Sequence, residues 1–366
     1  MIDRRLFTNF DWTLFLLVLL IAALGVVNIY SAAYTYAPVG TPYFLRQIYW
    51  IVAGLGIIAT VCSIDYHIFE DTAYWLYGGM LFLLVVVLVV GRTSMGATRW
   101  LNLGIITIQP SELMKIIIIM ALARYFVDFV PPDGLTLRDL LYPLLLVGIP
   151  ALLIMKQPDL GTALLVVMIA ASMLLYVGVR WKTVAAALLA AVPTVWLAWT
   201  RYLRDYQKNR ILNFIWPERD PLGSGYHIIQ SKIAVGSGGV LGKGFLMGTQ
   251  SHLRFLPEQH TDFAFSVFAE EWGFLGCLVV LLLYMVLVLW GLGIASRCND
   301  RFGALLSVGV SAMLFWHIVV NIGMVIGLFP VVGVPLPLFS YGGTSMITTM
   351  TGVGILLNVS MRRFMF

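Results

Sequence analysis

The chain has 366 residues, of which 60% are hydrophobic and 11% are charged, and its formal net charge at pH 7 is +5. Soluble domains carry about 25% charged residues, so this composition excludes an ordinary soluble protein and indicates a polytopic membrane protein. No nucleic-acid partner is expected.

Apolar stretches long enough to cross a bilayer as helices recur along the whole chain. They predict an all-α polytopic membrane protein with about ten transmembrane helices, formed by a single membrane domain, 1–366. The first stretch begins at Trp12 and lacks the short core and small-residue cleavage site of a signal peptide, so we expect it to remain as a span. The predicted spans are 12–32, 48–64, 74–90, 110–127, 140–155, 160–179, 184–199, 263–294, 304–328 and 340–361.

The distribution of Lys and Arg predicts that both termini face the cytoplasm, because positive charge near span ends tends to stay on that side. With this orientation, ten basic residues lie in the inner segments and only four in the short outer loops. The inner ones are Arg4, Arg5, Arg124, Arg138, Arg180, Lys182, Arg297, Arg301, Arg362 and Arg363, and the outer ones are Arg46, Arg92, Arg99 and Lys156.

Two outer regions are long enough to carry chemistry: the loop 91–109 and one long extracytoplasmic loop, about 201–262, between spans seven and eight. The long loop holds eight Lys and Arg against five Asp and Glu, and this basic balance suits an anionic partner or lipid headgroups. Within it, Tyr226, Ile229 and Ile233 follow helical spacing, which fits either an interfacial amphipathic helix or a short packed surface helix. The glycine-rich run 236–244 is predicted to be a flexible turn.

Glu112 and Lys115 lie three residues apart in span four, so they share a helix face and can neutralise each other inside the membrane. This pair fits either a packing role or the lining of a polar cavity that faces the substrate. Trp100, at the return from the outer loop, fits either a position at headgroup level or a substrate contact. Asp159 is expected to cap the helix that follows it.

Asp262 stands where the long polar segment meets the apolar stretch of span eight. An ionisable group at the mouth of a membrane span is energetically costly and therefore points to function. A nearby apolar wall would raise its pKa and make it a usable general base near neutral pH. The alternative from the local residues is a helix cap for span eight.

His317 and Asn321, four residues apart, can hydrogen-bond across the helix bundle. The three cysteines, Cys62, Cys277 and Cys298, have no metal-type spacing and predict no disulfide framework.

The segment 321–345, NIGMVIGLFPVVGVPLPLFSYGGTS, resembles the signature of the SEDS family, the shape, elongation, division and sporulation proteins. Three further stretches are similar to the family: GATRWL at 96–101 with QPSELMK at 109–115, QPDLGT at 157–162, and LPEQHTD at 256–262. The PVVGVPLP run and the short termini are most similar to the elongation branch of the family.

This resemblance implies a peptidoglycan glycosyltransferase that polymerises lipid II during elongation and rod-shape maintenance. It also implies a location in the bacterial cytoplasmic (inner) membrane with the active site on the outer face, contact with membrane lipids, and a class B penicillin-binding protein as partner. The resemblance makes Asp262 the catalytic carboxylate, and it ties Trp100, Glu112 and Lys115 to activity or to the cavity. Ser340, in the segment 321–345, is predicted to bind the substrate or to line the cavity.

The departing pyrophosphate of such a reaction needs positive charge. Arg210, Lys243 and Arg254 are the outer-face candidates. No cofactor is assigned, and a divalent cation, Mg²⁺ or Mn²⁺, is an alternative source of charge. Two other classes of function fit the same composition: a transporter that flips lipid II, and a noncatalytic scaffold for cell-wall enzymes. The polar residues concentrate on one side of the membrane and no internal repeat is evident, which favours the enzyme over the transporter.

Overall fold

The computed structural model describes residues 9–34, 41–94, 97–102, 107–129, 134–202, 205–216, 224–253, 255–256 and 258–363. Apolar helices form most of this part of the chain. The ten long apolar helices are α1 (Trp12–Ala32), α2 (Tyr43–Ser63), α3 (His67–Val90), α4 (Pro110–Asp128), α5 (Leu141–Lys156), α6 (Leu160–Val177), α7 (Trp181–Leu197), α11 (Ala264–Arg297), α12 (Arg301–Val325) and α13 (Gly343–Arg362).

These ten helices correspond one to one with the ten predicted spans. Eight helices of the described chain are long and apolar enough to cross a membrane by length and composition. The other two are α4, which carries charged side chains, and α5, which has 16 residues. The prediction of an all-α polytopic membrane protein is therefore confirmed.

The centre of the bundle is formed by α12 and α13. Within their most apolar windows, 72% of the α12 residues and 83% of the α13 residues are buried, whereas only 6% are buried in the corresponding window that begins with α7. Exposed leucine, valine and aromatic side chains on the outer helices present an apolar surface suited to lipid. One continuous hydrophobic core runs from Leu14 to Met361.

Both ends of the described chain lie on the same face of the bundle. Next to the start of α1, Asp11 accepts hydrogen bonds from Trp290 Nε1 at 2.7 Å and from Ser360 Oγ at 3.4 Å. Near the end of α13, Arg362 donates to the carbonyl oxygen of Cys62. We call this side of the molecule the termini face and the opposite side, where α11 begins, the Asp262 face.

The long connection predicted between spans seven and eight lies between α7 and α11, and its described part contains helices. After a π-helical turn, Ala198–Tyr202, it contains α8 (Asp205–Ile215), α9 (Ser224–Ser237) and the short α10 (Thr249–His252).

The predicted helix around Tyr226 is present as α9 and packs against α11 and α12. Its buried side chains include Ile228, Ser231 and Ala234, while Ile233 is exposed. The helical spacing therefore identified the helix but not its packed face. Contacts with the bundle decide that face: the Ser231 hydroxyl lies 2.9 Å from Ser266 Oγ and donates to the carbonyl oxygen of Val325.

The glycine-rich run docks against a break in α11. Gly273 has φ +64°, and the run satisfies main-chain groups on both sides of it: Lys243 N donates to Glu270 O at 3.0 Å, and Phe274 N donates to Gly239 O at 2.9 Å. A flexible turn was predicted; the structure has turns at 238–241, and hydrogen bonds to the main chain of the broken helix hold the run.

The outer loop between α3 and α4 contains a small antiparallel sheet, β1 (Arg92–Ser94), β2 (Ala97–Asn102) and β3 (Thr107–Ile108), in the order β1-β2-β3. Trp100 pairs with Arg92 across β1 and β2. The strand β2 lies against α3 and α4.

Candidate active site

Asp262 lies in the turn that leads into α11, on the face opposite the chain termini, with its side chain partly buried. Its main-chain carbonyl oxygen accepts a hydrogen bond from Asn321 Nδ2 at 3.0 Å. The N-cap residue of α11 is Phe263, and no side chain caps this helix. Because Asp262 does not perform the capping role that the local sequence allowed, its carboxylate is left for another purpose.

The turn that carries Asp262 is held on three sides by other parts of the bundle. Gln259 Nε2 donates to the carbonyl oxygen of Ala32 at 2.6 Å. The His260 ring stacks on the Tyr43 ring with centroids 4.1 Å apart, and His260 O accepts from Tyr341 N at 2.9 Å. Helices α1 and α2 and the segment before α13 therefore fix the position of the turn.

Burial raises the pKa of Asp262 to about 6, and the negative charge of Glu258 adds to this shift. Arg210 and Arg99 oppose it by lowering the pKa, while Asp159 raises it further. A carboxylate with a pKa near 6 is mostly ionised at pH 7 and still basic enough to accept a proton in a transition state. The site thus combines a carboxylate of raised pKa with two arginines that act on it electrostatically.

Arg99 is a site residue that the sequence reasoning counted only as a loop charge. The sheet holds it where its guanidinium donates to the carbonyl oxygens of Gln157, at 3.4 Å, and Pro158. Its Nη1 lies 3.9 Å from Asp159 Oδ1. Arg99 stands beside Trp100 in the family-like stretch 96–101, and this position could have identified it from the sequence. Spacing along the chain gives no indication that residue 99 meets residues 157–159.

Asp159 caps α6 as predicted, because its Oδ1 accepts from Thr162 N at 3.3 Å. It also accepts hydrogen bonds from Gln109 Nε2 at 2.8 Å and from Ser111 Oγ at 3.4 Å. These contacts join the starts of α4 and α6 beneath Arg99. Asp159 therefore both caps α6 and supports the arginine.

Glu112 and Lys115 form a buried ion pair, with Lys115 Nζ 2.8 Å from Glu112 Oε1. Lys115 Nζ also lies 2.7 Å from Nε2 of His317 on α12. The other ring nitrogen, Nδ1, lies 2.7 Å from the carbonyl oxygen of Met313, which can only accept, so Nδ1 carries the proton and Nε2 accepts from Lys115. The predicted pair is present, and it links α4 to α12.

The remaining predicted site residues are in different surroundings. Arg210, on α8, is partly buried and within electrostatic reach of Asp262, whereas Lys243 Nζ lies 2.6 Å from Glu270 Oε1. Arg254 lies outside the described residues. Ser340 is buried, and its hydroxyl accepts from Leu336 N at 3.1 Å, so it shapes its own turn. Trp100 is partly buried on β2, next to Arg99.

Within the described residues, no group of three or more His, Cys, Asp or Glu side chains is arranged to hold a metal ion. The three cysteines are free thiols. The positive charge that the described part of the chain itself brings near Asp262 comes from Arg99 and Arg210.

The model of the FtsW, RodA and SpoVE family, described as cell cycle protein, matches residues 11–364. The peptidoglycan glycosyltransferase MrdB of Escherichia coli (strain K12) is 45% identical over 321 residues, which cover 87% of this chain and 86% of that protein. The peptidoglycan glycosyltransferase RodA of Treponema pallidum (strain Nichols) is 34% identical, with 97% and 98% of the two chains covered.

Solved structures share the fold. A chain of a peptidoglycan synthase complex, studied for its structural coordination of polymerization and crosslinking, matches with a TM-score of 0.84 and 37% identity over 98% of this chain and 99% of that chain. The rod shape determining protein RodA of Thermus thermophilus matches with a TM-score of 0.72 and 33% identity over 97% and 98% of the two chains.

Proposed function

This chain belongs to the FtsW, RodA and SpoVE family of cell cycle proteins and is a peptidoglycan glycosyltransferase of the RodA type, and from that premise we propose that Asp262 is the general base of its lipid II polymerisation. The observation that carries the proposal is the carboxylate itself: partly buried, free of a capping role, with a pKa raised to about 6 and two arginines in electrostatic reach.

The reaction joins the 4-hydroxyl of an acceptor GlcNAc to the anomeric carbon of a MurNAc on undecaprenyl pyrophosphate. The new bond forms between the hydroxyl oxygen and C1, the bond between C1 and the pyrophosphate oxygen breaks, and the configuration at C1 inverts. Asp262 takes the hydroxyl proton as the bond forms, and a general base in this position contributes about 10²–10⁴-fold to the rate.

The pyrophosphate gains negative charge as it leaves, so it requires cations near the point where that charge develops. Arg99 and Arg210 are the cations that act on Asp262, and we assign them this role. Lys243 is a weaker candidate than the sequence suggested, because Glu270 already neutralises it at 2.6 Å. A divalent cation is an alternative source of the same charge.

The buried pair Glu112 and Lys115 lies in the bundle, where it supports a polar interior that reaches from α4 to α12. Trp100 and Ser340 are assigned to the walls of the substrate site. The assignment of Trp100 is supported by its position next to Arg99. The assignment of Ser340 is supported by the turn that its hydroxyl holds, because the next residue, Tyr341, contacts His260.

We assign the Asp262 face to the outside of the cytoplasmic (inner) membrane and the termini face to the cytoplasm. The excess of Lys and Arg in the segments on the termini face supports this orientation. The polyprenyl chains of the substrates then stay in the outer leaflet while their sugars reach Asp262. The continuous core from Leu14 to Met361 supports one membrane domain, 1–366.

A class B penicillin-binding protein is the partner we propose, because the chain with a TM-score of 0.84 belongs to a complex that coordinates polymerization with crosslinking. In this arrangement the membrane protein makes glycan strands and the partner crosslinks them. The names of the relatives as glycosyltransferases favour this enzyme over a lipid II flippase or a noncatalytic scaffold.

The test is polymerisation of labelled lipid II by the full-length protein in liposomes, with its penicillin-binding partner, for wild type and Asp262→Asn. We expect glycan strands from wild type and a loss of about 10²–10⁴-fold in the variant. Asp71→Asn, which removes an exposed carboxylate near the termini face, is the matched control and should keep wild-type activity. Polymer from Asp262→Asn at the wild-type rate would disprove the base assignment.

A further inference from the structure

Asn321 is a fully buried amide on α12 that contacts the main chain on both sides of the site. Its Nδ2 donates to the carbonyl oxygen of Asp262 at 3.0 Å and to the carbonyl oxygen of Val334 at 2.7 Å. The two protons of one amide group therefore join the turn that carries Asp262 to the segment 330–336, which is neither helix nor strand, and neither proton is left for other contacts.

The segment 330–336 also sets the space around the Asp262 carboxylate. Gly333 has φ +72°, and a Cβ atom added there would lie 3.3 Å from Asp262 Oδ2. The main chain of Asp262 is thus joined to this segment through Asn321, and the side chain of Asp262 lies next to it. A shift of 330–336 relative to the turn would change where the carboxylate points.

The position of Asn321 is in turn fixed by the buried ion pair. His317 lies four residues earlier on α12, about 6 Å along the helix axis. Its Nε2 accepts from Lys115 Nζ at 2.7 Å, and Lys115 bonds to Glu112 at 2.8 Å. The His317 ring is also held at Nδ1, so its contact with Lys115 fixes how α12 is rotated and shifted along its axis relative to α4. This contact lies one helical turn from Asn321.

We propose that Asn321 is a positioning residue for polymerisation, which holds the Asp262 turn against 330–336, and that the contact between Lys115 and His317 fixes the helix that carries it. This inference rests on the proposed role of Asp262. Buried polar groups in a membrane protein need partners, so a pair of hydrogen bonds of this kind resists displacement. A misplacement of about 1 Å at a reacting group can lower a rate about 100-fold.

The test compares Asn321→Leu with Asn358→Leu in the full-length protein and its partner. Asn358 is the matched control because it is equally buried and also donates to two carbonyl oxygens, those of Val61 and Ile64, at 2.6 and 2.8 Å. Each change removes two hydrogen bonds that the amide donates, and Asn358→Leu also removes the bond that Asn358 Oδ1 accepts from Arg362. Only Asn321→Leu removes a bond to Asp262. We expect kcat for lipid II to fall about 100-fold in Asn321→Leu with KM within about twofold of wild type. In Asn358→Leu we expect kcat to stay within about threefold of wild type despite a lowered Tm.

Three outcomes would overturn the inference: wild-type kcat in folded Asn321→Leu, an equal loss of kcat in both variants, or a raised KM with unchanged kcat. If Asn321→Leu does not fold, Asn321→Asp, which keeps the size and removes the amide donors, is scored in the same way. His317→Leu should lower kcat by about 2- to 30-fold because it acts only through the helix, and wild-type kcat in it would remove the His317 part of the inference.

The Asp262→Asn variant separates this inference from the proposed function. An inactive Asp262→Asn together with a fully active Asn321→Leu contradicts the positioning role alone. A fully active Asp262→Asn contradicts the base assignment, and with it the reason for positioning Asp262.

Discussion

At the scale of single residues, the proposed base is a carboxylate whose pKa the fold raises. Burial and the charge of Glu258 raise the pKa of Asp262, and Asp159 adds to this increase. Arg210 and Arg99 limit the increase, and the pKa is about 6. The two arginines thus have a second effect besides their assigned role at the pyrophosphate, because they keep the base ionised at neutral pH.

We predict that kcat for lipid II polymerisation falls below pH 6 by about tenfold per pH unit, because the base is protonated there. The pH dependence of single-turnover polymerisation measures this. Arg99→Gln should move the midpoint above that of wild type, because a cation that lowers the pKa of Asp262 has been removed. A rate that does not change between pH 5 and 7 would contradict the prediction.

Asp262→Asn should stabilise the protein at pH 7.5. The pKa of Asp262 in the folded state is above its ordinary value of 3.8, so the folded state binds the proton more tightly and loses stability as the pH rises from about 4 to about 6. Removal of the charge should recover roughly 1–3 kcal/mol above pH 6 and almost nothing below pH 4. Thermal unfolding in detergent at pH 7.5 and 4.5 measures the difference. An equal change in Tm at both pH values would show that the charge is not the cause.

Gly333→Ala tests the space beside the carboxylate. An alanine at φ +72° is strained by about 1–2 kcal/mol, and its Cβ would lie 3.3 Å from Asp262 Oδ2. We expect a modest loss of Tm and a larger loss of polymerisation than in Gly178→Ala. Gly178 is the matched control, because it has φ +97° and open space around it. Equal activity in the two variants would exclude a specific effect on Asp262.

At the scale of secondary structure, the first part of α11 contains a break. The helix breaks at Gly273, and the run 238–244 supplies hydrogen bonds to main-chain groups on both sides of the break. Glu270, completely buried, accepts from Lys243 and from the main chain of Thr249 and Gln250. The first turns of α11, which follow Asp262 directly, are therefore held by the segment that connects α7 to α11.

Gly273→Ala should disrupt this contact. The residue has φ +64°, and a Cβ would lie 2.2 Å from the main-chain nitrogen of Gly242, so strain and overpacking together amount to about 2–5 kcal/mol. Thermal unfolding in detergent measures the loss. Gly293→Ala, on the same helix with no atom within 4 Å of the added Cβ, should leave Tm unchanged or slightly raised. A similar Tm for both variants would show that the break does not need glycine.

At the scale of the whole molecule, the ten helices place all the described chemistry on one face and both chain ends on the other. Labelling with a membrane-impermeant maleimide tests which face is outside, in a protein whose native cysteines have been replaced. Met247→Cys, exposed near the Asp262 face, should react in intact cells. Ser296→Cys, exposed near the termini face, should react only after lysis. The reverse pattern would invert the proposed orientation and place the polymerisation site in the cytoplasm.

The sequence by itself determined the elements whose signal is local. Hydrophobic length identifies a span without reference to any other part of the chain, so ten helices and the shared side of the termini could be predicted. The pair of Glu112 and Lys115 and the cap at Asp159 were also predictable, because their partners lie within one helical turn. The family-like stretches identified Asp262 as the candidate base.

Only the tertiary structure decided which distant residues meet. Arg99 lies beside the cap of α6, His317 accepts from Lys115, and Asn321 bonds to Asp262, in each case across more than fifty residues of sequence. The structure also ruled out the capping role of Asp262 and showed where the helices lie in the described part of the connection between α7 and α11. The physical reason is that periodicity reports which side of a helix is apolar, whereas hydrogen bonds, burial and pKa depend on the groups that other helices bring to the same place.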